Sequence, residues 1–210
     1  STTTSHQLYA KVAAMPDGGF MAVWHSNGQD GYGYGIYRQR FNASGTKVGS
    51  EVLVNTTTSN HERYADIIVF SDDSYLILWE SSAQDGDSDG IFGQRYNAAG
   101  SPVGSEFQVN SYATGSQRFA EAAVLDNGGF VVVWHSEGQD GSGYGVYGQR
   151  YDAAGNASGS EFLVNTETLN DQNYPDVVGL QNGGFVVVWT VDTGAGNTEV
   201  RGQEFAADGT

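Results

Sequence analysis

Trp24, Trp79, Trp134 and Trp189 stand 55 residues apart, and Tyr9, Tyr64, Phe119 and Tyr174 keep the same interval. A chain with this period builds one supersecondary unit several times and buries each copy against its neighbour. The fourth copy drops one residue in the loop after Trp189, and Gln203 and Phe205 then fall into step with Gln39 and Phe41.

Within each copy the pattern predicts four strands. The first ("YAKVAAM", "YADIIVF", "FAEAAVL", "YPDVVGL") ends in a tight turn such as "PDGG" or "DNGG", a strong hairpin signal between apolar runs. The second ("FMAVWHS" and its siblings) is apolar on both faces and so must be covered on both. The third is of the type "GVYGQRY", and the fourth of the type "VGSEFQVN". Four-stranded units stacked on one another describe an all-β fold, a β-propeller of antiparallel blades. The chain stops before a fourth "GSEF" strand, so the last blade lacks its outer strand. Tandem β-sandwich-like repeats are the alternative. The expected organisation is a single repeat domain over 1–210, with blades near 1–55, 56–110, 111–165 and 166–210. Closure as a four-bladed ring and membership of a larger ring or array both remain open. Self-association through the missing outer strand is a further expectation. The first residue is Ser1, which reads as a processed or excised piece.

Nine basic residues face 25 acidic ones, for a formal charge of -16, which repels nucleic acid and anionic membranes. No apolar run approaches the roughly 20 residues of a membrane span. With no cysteine, disulfides, thiolate metal sites and thiol nucleophiles are excluded, and the missing disulfides lean toward a bacterial source.

The two-three loops and the links between copies are long, so both should emerge on one face and form the binding surface. There Tyr32, Tyr34, Tyr112 and Tyr144, beside His25 and His135, suit sugar recognition, since rings stack on sugars and polar groups receive hydroxyls. Tyrosines that merely cover glycine-rich loops are the other reading. The recurring Gln-Asp-Gly reads as a turn in which Asp bonds an amide two residues on. The Gln-Arg pairs and Gly-Ser-Glu triplets read as ties between blades. In the second copy, "DGDSDG" sets Asp85, Asp87 and Asp89 at alternate positions before Gly90, the first half of a calcium loop. Tyr96 stands where the completing Glu belongs, so a Ca2+ site here would be weak, with Kd on the order of 10⁻⁴ M or worse; a solvated acidic loop is the alternative. Lys11, Asp66, Glu121 and Asp176 share one place on the first strand, where they would line a central channel, hydrated or around an ion. No serine elbow or zinc-binding helix occurs, and no carboxylate pair stands out as glycosidic. The expectation is not an enzyme.

The stretch "GGFVVVWHSEGQDGSGYGVYGQRYDAAGNASGSEFLVN" resembles a tandem repeat of large secreted bacterial proteins, including RTX-type adhesins. The resemblance spans all four copies. It implies an extracellular or cell-surface, non-catalytic module for binding or adhesion, with a glycan or a cell-surface protein as partner, or a purely structural spacer. A glycan-active enzyme of propeller fold is the rival. The G-G-x-G-x-D nonapeptides of RTX calcium rolls are absent, so the calcium expectation rests on the three aspartates alone.

Overall fold

The computed structural model describes residues 6–210. The first copy forms β1 (Gln7–Ala14), β2 (Phe20–Asn27), β3 (Tyr34–Phe41) and β4 (Lys47–Leu53), and the second forms β5 (Glu62–Val69), β6 (Tyr75–Ser82), β7 (Asp89–Tyr96) and β8 (Pro102–Gln108). The third forms β9 (Gln117–Val124), β10 (Phe130–Glu137), β11 (Tyr144–Tyr151) and a two-residue β12 (Phe162–Leu163). The fourth forms β13 (Gln172–Gly179), β14 (Phe185–Gly194) and β15 (Asn197–Phe205). Each copy is a sheet with its strands in sequence order, three of them four-stranded and the last three-stranded. This is the all-β propeller architecture expected from the repeat, with the last blade short by its outer strand.

The chain gathers into two compact units, one of the residues up to Asp85 with Gly90–Gln108, the other of Gly86–Asp89 with Val109–Thr210. In the first unit, Val23 and Ile36 of blade one pack with Ile67, Ile77 and Trp79 of blade two. In the second, Val133 and Val146 of blade three pack with Phe185, Val187 and Trp189 of blade four. Trp79, Trp134 and Trp189 are buried. Trp24 is only half-buried.

The one-two turns work through their Asp or Asn. Asp17 Oδ1 accepts the Gly19 N–H at 2.9 Å, as Asn127 accepts that of Gly129, and a Cβ on Gly19 would lie 2.4 Å from the Phe41 carbonyl. Tyr9, Tyr64, Phe119 and Tyr174 all take left-handed φ, between 51 and 53°, each at a register shift between first and second strands. A non-glycine there costs of order 1 kcal/mol or more and persists only where its surroundings hold it.

The repeated polar residues tie each blade within itself and to its neighbour. Gln29, Gln84 and Gln139 each donate to Glu51, Glu106 and Glu161 on the fourth strand or its counterpart. Glu106 also accepts from the Thr56 amide and hydroxyl, and Glu161 from those of Ser111. Arg38 donates to Tyr75 Oη and the Gly100 carbonyl, and Arg150 to the Ala207 carbonyl. Asn55 and Asn165 sit beneath the links: their Oδ1 atoms accept from Ile36 and Val146 at 2.7 Å, and their amides donate to the Thr57 and Glu167 carbonyls.

Candidate functional site

Each bulge takes one backbone N–H out of the strand ladder, and a buried donor needs an acceptor. His25, last but two in β2, supplies it: its Nδ1 accepts from the Tyr64 amide at 3.2 Å. In the second unit His135 does the same for Tyr174 at 3.4 Å. Aromatic rings close over both. Tyr34, Tyr9 and Tyr64 stand 4.8, 5.3 and 5.7 Å from the His25 ring, and Tyr144, Phe119 and Tyr174 stand 4.6, 5.2 and 5.8 Å from that of His135.

The two histidines, expected on the binding surface, lie buried under the rings and serve the bulge. Burial, with a smaller repulsion from Arg63, lowers the His25 pKa to about 4; burial and Arg118 lower that of His135 to about 3. Both are therefore neutral, as an accepting Nδ1 requires. An unfolded His titrates near 6.5, so the stability drawn from a neutral His25 is complete above that pH and is lost as pH falls toward 4, about 3 kcal/mol in all. Thr190 occupies the equivalent place in the fourth copy. His25→Thr is accordingly expected to flatten the loss of stability between pH 6.5 and pH 4 in chemical denaturation, and a slope equal to the wild type's would refute the assignment.

The tyrosines fare differently. Tyr32, 58% exposed, and Tyr34 flank His61 of the link between the first two blades, at ring distances of 5.9 and 5.8 Å. The loop is pressed against this link, for a Cβ on Gly33 would fall 2.7 Å from the Asn60 carbonyl and 2.8 Å from His61 Nδ1. The second unit repeats the arrangement, with the Tyr144 amide donating to Asp171 at 3.0 Å. Two-three loops and links thus meet, as expected of a shared face. Tyr112 stands apart from these rings, half-buried, with its carbonyl accepting from Asn110 at 2.9 Å. The first repeat therefore holds the candidate site: Tyr32, Tyr34 and His61, backed by His25 and Tyr64. Sequence reasoning passes over His61, whose place is held by His6 in the first copy and by Ser116 and Asp171 in the later ones.

The Gln-Asp-Gly acids turn inward. Their Oδ2 atoms lie under the glycine that is second in the third strand, where a Cβ on Gly35, Gly90 or Gly145 would sit 2.5, 2.5 or 2.6 Å away. Asp140 Oδ1 also accepts the Ser142 amide two residues on, the bond expected of this turn. Asp85 is thereby used as its siblings are. Asp87 accepts the Gly115 amide at 3.0 Å, and Asp89, buried, accepts Arg118 Nε at 2.7 Å. Asp87 and Asp89 serve separate partners, and among the described residues no group of three or more His, Cys, Asp or Glu could hold a metal ion. Lys11, Asp66, Glu121 and Asp176 all lie two residues past the bulge aromatic, with Asp66 buried, Glu121 half-buried, and Lys11 and Asp176 exposed.

No family model matches the chain, and no curated protein does. Solved structures do. A protein of unknown function from Dyadobacter fermentans aligns with a TM-score of 0.69 at 11% identity, over 92% of this chain and 51% of its own. An endo-arabinase from Bacteroides thetaiotaomicron aligns with a TM-score of 0.60 at 13% identity, over 97% of this chain and 78% of its own. An alpha-L-arabinanase from Penicillium chrysogenum, complexed with arabinobiose, aligns with a TM-score of 0.59 at 14% identity, over 95% and 65%. This chain thus spans about half of the first neighbour. The likeness is one of fold, shared with glycan-active proteins.

Proposed function

We propose that this protein is an extracellular, non-catalytic module of a bacterial surface protein, and that it binds glycans at the Tyr32–His61–Tyr34 cluster. The observation that carries this reading is an exposed tyrosine ring held beside a histidine and a second tyrosine, where a loop and a link meet. Rings of this kind stack on the apolar faces of sugars, while imidazole and phenol groups exchange hydrogen bonds with hydroxyls. The acidic charge favours a neutral sugar over an anionic one.

A glycan array that includes arabino-oligosaccharides tests the proposal. Binding should weaken about tenfold or more in Tyr32→Ala and in His61→Ala, with the melting temperature nearly unchanged. An array without a single ligand, or affinity indifferent to both substitutions, would remove the sugar reading and leave a spacer. The enzyme reading draws on the arabinan-active neighbours. Release of sugar from arabinan, lost on substitution of a carboxylate, would favour it over binding alone.

A further inference from the structure

Blade one and blade four each expose apolar residues on one face, and those faces match the two halves of the interface made between blades one and two and between blades three and four. Blade one exposes Val12 (68%) and half-buried Trp24; their counterparts Ile67 and Trp79 in blade two are buried against blade one. Blade four exposes Val178 (58%), Val188 (39%) and Val200 (75%). With the one-residue deletion allowed for, these correspond to Ala13, Val23 and Ile36, the residues of blade one that pack on blade two. The exposed side of blade four is thus shaped like the surface that receives a blade, and that of blade one like the surface a blade presents.

Charges identify the occupant. Blades one to three carry Arg40, Arg95 and Arg150 at one position of the third strand, where Arg40 and Arg150 reach toward the next blade; blade four has Glu204 there. The fourth strand of blade one starts at Lys47, where the second copy has Pro102 and the third has Ala157. Lys47 lines a groove of about 370 Å³ on the exposed face of blade one, with Trp24, Tyr9, Phe41 and Glu51. Each end face departs from the repeat by one charge, and the two departures have opposite sign.

We propose that the exposed face of blade four docks on the exposed face of blade one of a second copy of this chain, with Glu204 opposite Lys47. The contact is head-to-tail, so it joins unlike surfaces and closes into a ring or runs on as a filament. It uses the blade faces, and so differs from pairing along the free edge of β15.

Sedimentation of the full chain at rising concentration tests this. Mass should rise above that of one chain below about 1 mM. Val200→Asp should abolish the rise with the melting temperature unchanged, because Val200 is exposed. Lys47→Glu and Glu204→Lys should each weaken association about tenfold or more, and the double exchange should restore it. Mixing the two single variants should restore it too, since each then meets its complement. A chain that stays monomeric at about 1 mM, or association that ignores Val200→Asp, would overturn the proposal. So would a double exchange that fails to rescue.

Discussion

Between pH 4.5 and pH 8 the protein is expected to lose about 5 kcal/mol of stability that its Glu62→Gln variant keeps. Position 62 belongs to a column occupied by Gln7, Gln117 and Gln172 in the other copies. The sibling amides are fully used: Gln117 Oε1 accepts from Asn110 at 3.0 Å, while its Nε2 donates to the Thr114 carbonyl at 3.1 Å and lies 3.4 Å from Ser136 Oγ. Gln172 likewise accepts from Asn165 and donates to the Leu169 carbonyl. Glu62 fits the same slot, with Oε2 taking Asn55 at 3.4 Å and Oε1 taking Ser81 at 3.2 Å. One carboxyl oxygen therefore stands where an amide donor stands elsewhere, and it can donate only as the neutral acid.

Burial holds that acid neutral, lifting its pKa from 4.5 to about 8; Ser81 opposes the shift, and the charges of Asp30 and Glu106 add to it. Within this window the folded protein binds more proton than the unfolded chain, so stability falls as pH rises, by about 1.4 kcal/mol per pH unit, and levels off above pH 8. The loss is opposite in sign to that of His25, whose contribution grows as pH rises toward 6.5. Urea denaturation of wild type and variant at pH 5, 6.5 and 8 measures the difference directly. Two parallel pH curves would show that folding leaves the Glu62 pKa unchanged. Gln117→Glu should import a fall of the same sign into the other unit.

Trp79→Ala should cost about 3–5 kcal/mol, the range for emptying a buried aromatic site. The indole is fully buried in a core shared by two blades, with Val23, Ile36 and Ile77 packed in the same cluster. Trp24→Ala removes the same side chain from the same strand position, but Trp24 is only half-buried, so less than half that cost is expected. Thermal or urea unfolding of the two variants separates position from identity. Equal losses would mean that Trp24 is covered in solution, the result that docking of a second copy would give at high concentration.

The blades were legible in the sequence because the two signals that build them are local: apolar alternation, and Asp-Gly or Asn-Gly at the hairpins. The fate of His25 was not. Its position after Trp24 suggests an edge, but its partner is the Tyr64 amide, 39 residues on, freed by a bulge that no letter marks. Asp85, Asp87 and Asp89 alternate as calcium ligands do, yet Asp89 is claimed by Arg118, 29 residues away. Spacing reports what could converge, and cannot report what arrives first from elsewhere in the chain. Glu62 was visible as the odd member of a glutamine column. That it is a buried acid depends on Asn55, Ser81 and the packing above them.

The buried asparagines that anchor the links bear on how such a chain can lengthen. Asn165 accepts from Val146 behind it and donates to Gln172 ahead of it, and Asn110 donates likewise to Gln117. Every partner in this chain of bonds is a residue that the next copy supplies again at the same offset. Duplicating a gene segment of one whole period would therefore leave no buried amide or carbonyl without its match, wherever in the period the break fell. A duplication a few residues longer or shorter would strand several at once, at about 1–3 kcal/mol each. Selection on such genes should thus see length change in steps of one copy, and the column holding Glu62 is where a new copy could gain or lose sensitivity to pH by a single base change.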